Sequence, residues 1–429
     1  AGYVMIRIED VGIEGGIIDV KILEPVVGEI IIQGNKRTKT EVIRREFKLQ
    51  PGDLFNVTIM RHSLNRLNNR GLFEDVNIGF EPTEDPGVVN IVLTVEEGRT
   101  GRYGLSLGHG SSSGWSGGVS YEESNYGGLG HRVSIGFDTG DSEYYRMIYE
   151  EPYMDATHYR WTASIYKREW DVLTDDELTT EYTEDKKGVF YGIGKEFRKD
   201  PTLSWFAKLD LYDVSYSFDT PPIPIPWKFD SGRNISVTGT VTRNLLDKYL
   251  SYPDGAVHSL NIQEGFFQPD DSSTGDMNYT KYWIEARYYW PLSHMLEDLI
   301  DMIDIGIGTE DNPVLFATRV RIGYSNGDLP WSAQYFVGGS STLRGYDDDY
   351  FSGSEMVLGN FELRVPVREM FSIVGFYDVG AATESSAFSN TKSGYGFGVR
   401  VRTPIGNIRV DFAEGDEENY THFGFGEMF

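Results

Sequence analysis

Arg344 is the one cation in the stretch Gly338-Gly339-Ser340-Ser341-Thr342-Leu343-Arg344-Gly345-Tyr346, and the acids Asp347, Asp348 and Asp349 follow at once. Glycines at that density belong to a backbone that turns sharply or lies close against another surface. An arginine held there is a planar, permanently charged fork that can bond two carboxylates at once, which a lysine cannot. Two readings stand side by side: an ordinary glycine-rich surface loop, or a loop that carries one guanidinium to acidic partners elsewhere in the fold. Other chemistry is sparse. The histidines are scattered without HxxxH spacing, there is no cysteine, and no phosphate-loop signature occurs. Asp347 to Asp349 and Asp270-Asp271 could hold calcium weakly, although solvated acidic loops are far commoner. The expectation is a protein that is not an enzyme, with no metal site and no cofactor.

The elements that would position Arg344 are strands. Length alone would allow several domains in 429 residues, but closed β-barrels use far more residues as one unit. The 27 Tyr, 24 Phe and 49 Gly pair aromatic girdles with abundant turns, which suits an all-β membrane barrel. No run of 18 apolar residues exists, so no transmembrane helix is expected. The mean hydropathy of -0.37 does not exclude a membrane, because barrel strands are apolar on one face only. The opening Ala1 to Ile6 has no basic segment leading into an apolar one, so no signal peptide is visible. A net charge of -27 argues against nucleic acid as a partner.

Residues 1–24 read as two short strands, Tyr3 to Glu9 and Gly16 to Leu23, the remaining C-terminal half of a truncated domain. Residues 25–98 read as a complete α+β unit of order βααββ. Its parts are a strand Glu29 to Gln33, a helix from an N-cap Thr40 to near Pro51-Gly52, and a second helix Val57 to Arg70 with Ile59, Met60, Leu64 and Leu67 on one face. A hairpin, Asp75 to Phe80 and Val88 to Glu96, completes it.

Across residues 99–429 the period is two. In Asn360-Phe361-Glu362-Leu363-Arg364-Val365 every even position is polar and every odd one apolar. Tyr282 to Trp290, Arg132 to Phe137 and Arg319 to Tyr324 alternate in the same way. Charges pointing to a watery lumen with an aromatic face toward lipid fit a transmembrane barrel, and closure removes sheet edges. Candidate strands begin near residues 102, 114, 129, 143, 157, 187, 202, 232, 256, 279, 315, 356, 371, 394, 406 and 420, giving sixteen antiparallel strands. An even number puts both barrel ends on the side of the α+β unit. The outer face then receives the acidic connection Asp171 to Lys187, the proline-rich Pro221 to Pro226 and the Arg344 loop. His294 to Met302 reads as a short inner helix. By alternation Glu362 and Asp378 point inward.

The small unit resembles a polypeptide-transport-associated (POTRA) domain, on Ile30 to Asn35, Gln50-Pro51-Gly52-Asp53 and Leu67 to Val76. With the barrel, the whole chain resembles the outer-membrane protein assembly factor family, of the BamA kind. Leu329-Pro330-Trp331, Tyr335-Phe336-Val337 and Gly338 to Tyr346 match that family's sixth extracellular loop, whose arginine-glycine-aromatic tip folds back into the lumen. Glu150 to Tyr153, Arg243 to Asp247 with Tyr252 to Gly255, and Phe376-Tyr377-Asp378-Val379-Gly380 match further family motifs in the family's order.

The resemblance implies that Arg344 pairs with Glu362 and Asp378, the tip motif being Gly338, Gly339, Leu343, Arg344, Gly345 and Tyr346. It implies that the last strand closes on the first at a lateral seam of Tyr103, Leu105 and Leu107 with Phe423, Gly424, Phe425, Gly426 and Phe429. The glycines there either weaken the seam or make room for lumen contents. It further implies a bacterial outer-membrane location with POTRA domains in the periplasm, and insertion and folding of other barrels by strand addition, without ATP. The implied partners are unfolded outer-membrane clients, periplasmic chaperones, accessory lipoproteins and the lipid bilayer. A two-partner secretion transporter of the same superfamily, or a passive porin-like channel, are the alternatives.

Overall fold

The computed structural model describes all residues except 1–6, 111–113, 141, 156, 173–181, 219–228, 248–251, 272, 293–307, 309–311, 368–369, 404–405, 417–418 and 426. The chain divides into two compact units, residues 1–103 with 121–133, and residues 104–120 with 134–429.

In the first unit, β1 (Arg7–Glu14) and β2 (Ile17–Leu23) form a hairpin. The turn is Gly15-Gly16, both at positive φ, so β1 runs up to Glu14 rather than ending at Glu9. Its apolar residues are exposed, Ile13 and Ile17 by 72% and 73%. β3 (Val26–Gln33), α1 (Thr40–Glu46), α2 (Val57–Asn69), β4 (Phe73–Pro82) and β5 (Val88–Glu97) give the βααββ order, with β5 between a parallel β3 and an antiparallel β4. Alternate residues Ile91, Leu93 and Val95 of β5 enter a core shared with Ile43, Phe55 and Leu67.

Several boundaries differ from expectation for identifiable reasons. The Thr40 hydroxyl accepts from Asn35 Nδ2, so Thr40 opens α1 instead of capping it, and Lys39 occupies the cap without a side-chain bond. α1 stops at Glu46, well before Pro51. On α2, Ser63 packs inward beside Met60 and Leu67, leaving Ile59 at 40% exposure; the Ser63 hydroxyl is buried because it donates to the Ile59 carbonyl and accepts from Lys48 N–H. Asn56 caps α2 through Thr58 and Ile59 N–H.

The second structural theme is a single antiparallel sheet of 16 strands. They are β6 (Gly101–Gly110), β7 (Gly114–Tyr126), β8 (His131–Gly140), β9 (Ser142–Glu151), β10 (Arg160–Val172), β11 (Tyr182–Phe197), β12 (Asp200–Phe218) and β13 (Gly232–Asn244). The series continues with β14 (Gly255–Pro269), β15 (Met277–Pro291) and β16 (Leu315–Gly327). The loop that follows carries a two-stranded ribbon, β17 (Tyr335–Val337) with β18 (Phe351–Gly353). β19 (Glu355–Val367), β20 (Phe371–Thr383), β21 (Lys392–Thr403), β22 (Gly406–Glu414) and β23 (Asn419–Phe425) complete the sheet. β11 starts at Tyr182, five residues before the expected 187, because Glu184 faces inward and pairs with Arg168 across the ladder rather than marking a solvated loop. Pro221 to Pro226, His294 to Met302 and residues 173–181 of the acidic connection lie outside the described residues.

Alternation sorts each strand into two faces. Tyr282, Ile284 and Trp290 are 43–51% exposed on the outer face of β15, while Glu285 turns inward between Arg287 and Arg321. A continuous exposed apolar face of this kind suits lipid. No described helix is long and apolar enough to cross a membrane, which says nothing of strands.

Glu97 ties the end of β5 to the segment before α1, accepting from the N–H groups of Arg37 and Thr38. Burial pushes its carboxyl up, but those N–H donors outweigh it and hold it below the usual Glu range. A depressed carboxylate stabilises above its unfolded pKa of about 4.3, and that contribution is lost as pH falls through the folded value. Hydrogen exchange should find the Arg37 and Thr38 amides protected at pH 5 and opening only as the pH falls below the ordinary Glu range. Glu97→Gln should remove that pH dependence; an unchanged profile in the variant would contradict the assignment.

Candidate functional site

The loop from Asp328 to Ser354 turns back inside the barrel. Trp331 is buried against Phe229 and Tyr182, stacking on Phe229 at 4.4 Å and donating Nε1–H to the Tyr182 hydroxyl at 2.5 Å. Leu343 is fully buried with Val337, Met356 and Leu358. Thr342 folds the glycine turn, its Oγ accepting from Gly338 N–H and donating to Gly338 O. These contacts deliver Arg344 to the lumen wall.

Arg344 is 0% exposed, and each of its three guanidinium nitrogens donates to a carboxylate. Nε and Nη2 donate to the two oxygens of Asp378 on β20 at 2.7 and 2.9 Å, a side-on fork. Nη1 donates to Glu362 Oε1 on β19 at 2.8 Å and to Asp411 Oδ2 on β22 at 3.4 Å. Its backbone N–H also reaches Asp378 Oδ2, and the Phe376 ring lies 3.6 Å below Cζ. So the two expected carboxylates meet Arg344, and a third joins them.

A second layer fixes those partners. Asn360 Nδ2 donates to Asp378 Oδ1 and to Thr342 O, and Arg319 donates to Asn360 Oδ1 and Ser341 O. Arg364 Nε donates to Glu362 Oε2, and Arg400 Nη1 donates to Asp411 Oδ1 at 2.6 Å. His422 of β23 is 1% exposed and lies 3.4 Å from Gly345 N. The resemblance supplied neither Asp411 nor His422. The outward series Ile408, Val410, Phe412 would have placed Asp411 on the lumen face, and Thr421 to Phe423 alternates likewise.

The tip fits only because glycine faces glycine. A Cβ on Gly394 of β21 would sit 1.7 Å from Arg344 O, and Gly345, at φ 93°, would bring one within 2.9 Å of Glu414 O. Tyr346 OH donates to Ser393 O and closes the tip. Gly338 and Gly339 are buried in the same turn.

The seam residues fare unevenly. The order of the large sheet begins with β23 and ends with β6. Tyr103 and Leu105 of β6 are 82% and 67% exposed, and Phe423 is half-buried on the outer face of β23. Gly424 abuts the Arg409 guanidinium, 2.9 Å from a would-be Cβ, so at this position glycine makes room for lumen contents. The side chains of Leu107 and Phe425, and Gly426 altogether, lie outside the described residues. Phe429 is not at the seam. The chain leaves the strand after Phe425 and the Phe429 ring lies in the lumen against Tyr289, with Arg319 and Arg364 at 5.2 and 5.3 Å. The two guanidiniums and the Tyr289 ring offer it a more enclosed surface than the end of a seven-residue strand. Among the described residues no group of acids and histidines could hold a metal ion.

The Omp85 superfamily domain matches residues 125–429, and the POTRA family, a surface antigen variable number repeat, matches residues 25–98. The chain belongs to the Omp85 superfamily. The outer-membrane protein assembly factor BamA of Nitratidesulfovibrio vulgaris is 24% identical over 94% of this chain. This Omp85 chain spans 51% of that relative's length. The solved BamA of Haemophilus ducreyi lacking POTRA domains 1–3 superposes with a TM-score of 0.64 at 17% identity, covering 99% of this chain and 89% of the other. CdiB from Escherichia coli gives 0.69 at 16% identity, covering 98% and 80%. At those identities the superpositions speak for the fold alone.

Breaking a buried, multiply bonded ion pair costs about 3–5 kcal/mol. Arg344→Lys, which keeps the charge but loses the fork, should lower the unfolding midpoint of the detergent-solubilised barrel nearly as far as Arg344→Ala. Gly394→Ala should expose the loop to protease while the strands stay folded. Wild-type loop protection in Gly394→Ala would contradict the close fit.

Proposed function

We propose that this chain inserts and folds β-barrel proteins into the outer membrane of a bacterium, with its POTRA domain in the periplasm. The observation that carries the reading is an Omp85 barrel whose loop arginine is locked to the lumen wall, preceded by a three-stranded POTRA sheet whose edge strands are β3 and β4. The assembly-factor relatives support the same reading. Unfolded clients would add a strand first at a POTRA edge and then at the seam between β6 and β23. β23 is seven residues long against thirteen for β10, so it offers fewer ladder bonds to a neighbour and exchanges them more readily. No nucleotide or cofactor is needed, because strand pairing and burial in lipid drive the reaction. Client proteins and the bilayer are then the direct partners, with periplasmic chaperones and accessory lipoproteins supplying clients and support.

Reconstitution into liposomes with a urea-denatured barrel client tests this. The client should become protease-protected faster than in empty liposomes. The chain is free of cysteine, so a single introduced pair can bridge β6 to β23; the bridged protein should lose the acceleration and regain it on reduction. Full activity in the bridged protein would contradict the seam. No acceleration alongside steady ion conductance would instead favour a secretion transporter or a channel.

A further inference from the structure

Around Arg344, the buried guanidiniums among the described residues outnumber the buried carboxylates. Arg319, Arg344, Arg364, Arg400 and Arg409 are each more than nine-tenths buried, against Glu362, Asp378 and Asp411. The surplus falls on Arg409, whose Nε and Nη1 make no hydrogen bond, and on Arg400, which lines a cavity. Arg400 Nη1 is occupied by Asp411 Oδ1 and Val399 O, but Nε and Nη2, the two parallel donors of the side-on fork, make no hydrogen bond. The nearest carboxylates to them are Glu427 Oε2 at 3.8 Å and Glu362 Oε1 at 3.7 Å, beyond hydrogen-bond reach. Glu427 also stands 3.5 Å from Arg364 Nη1, a loose contact from a residue one-third exposed.

Beside these groups opens a cavity of 270 Å³, lined by Arg364, Arg400 and Arg402 on one side and by Tyr289 and Phe429 on another, with Glu427 at its margin. Three guanidiniums facing one carboxylate leave a positive site, and the aromatic wall offers an apolar surface. We infer that this cavity binds an oxyanion, a phosphomonoester or carboxylate on a small apolar body, through the Nε/Nη2 fork of Arg400. The fork matches two oxygens of such a group. Glu427 is the internal competitor: its carboxylate covers the fork at a distance too long to satisfy it, and swings aside when a ligand supplies two oxygens at hydrogen-bond distance. Because Glu427 and Phe429 follow β23, ligand binding frees the segment that leaves the last strand.

Phenyl phosphate is the probe, titrated into the detergent-solubilised full chain and followed by ³¹P line width and calorimetry. Saturable binding should appear, tighter than for inorganic phosphate, and weaken at least tenfold in Arg400→Gln. Glu427→Gln should bind several-fold more tightly, since a competing charge has gone. Should Arg400→Gln fail to fold, Ser372→Phe, directly across the ladder from Arg400, fills the cavity without removing a charge and should abolish binding. Phosphatidic acid vesicles that displace the probe would identify a lipid headgroup as the source; vesicles that do not would leave a soluble phosphate. No saturable binding, or equal binding by wild type and Ser372→Phe, overturns the proposal and leaves water as the partner of the fork.

Discussion

A guanidinium taken wholly out of water must recover its hydration from fixed partners, and that demand governs the barrel interior. Arg344 meets it with oxygens from three strands, β19, β20 and β22. Each carboxylate in turn would be intolerable there alone, since an unpaired buried charge is far more costly than a lost hydrogen bond. Arginine and acids are therefore mutually obligatory. Three strands are tied together by an atom group that belongs to none of them, and the loop that carries it cannot leave without stranding Asp378, whose ion-pair partner is Arg344.

That constraint explains features that otherwise look unrelated. Gly394 and Gly415 lack side chains because the loop backbone occupies the space, each being within 2.0 Å of a loop carbonyl if a Cβ were added. Asn360 is polar and fully buried because it bridges Asp378 to the loop carbonyl of Thr342. The apolar side of the same loop, Leu343 with Val337 and Leu358, adds burial that a wholly polar plug would lack. The result is a cross-linked set of strands, β19 to β22, next to a last strand, β23, that is short and contains Gly424.

Much of this was legible in the chain. Alternation places Glu362 and Asp378 inward from residue type alone, and the sixteen strand starts follow from it because a barrel strand has two chemically opposite faces. Three things were not legible. Asp411 is hidden because it lies two strands beyond those the family resemblance singles out, although its own alternation is clear. Phe429 reads as a seam residue by its spacing from Phe423 and Phe425, and only the departure of the chain from the strand after Phe425 turns it into the lumen. The Thr40 cap fails because Asn35, distant by five residues, claims its hydroxyl; local rules for helix ends do not see such competitors. Alternation reports which face a residue takes, and leaves open which partner it meets there.

The most direct test of the central claim is a double-mutant cycle between Arg344→Met and Asp378→Asn, read as unfolding free energy of the detergent-solubilised protein in urea. If the guanidinium and this carboxylate sustain each other, each single variant is strongly destabilised and the double variant recovers much of the loss, with a coupling of about 2–3 kcal/mol. Additive effects, with a coupling under about 0.5 kcal/mol, would show that the pair does not hold the loop, and the account of the lumen would have to be rebuilt on its apolar contacts.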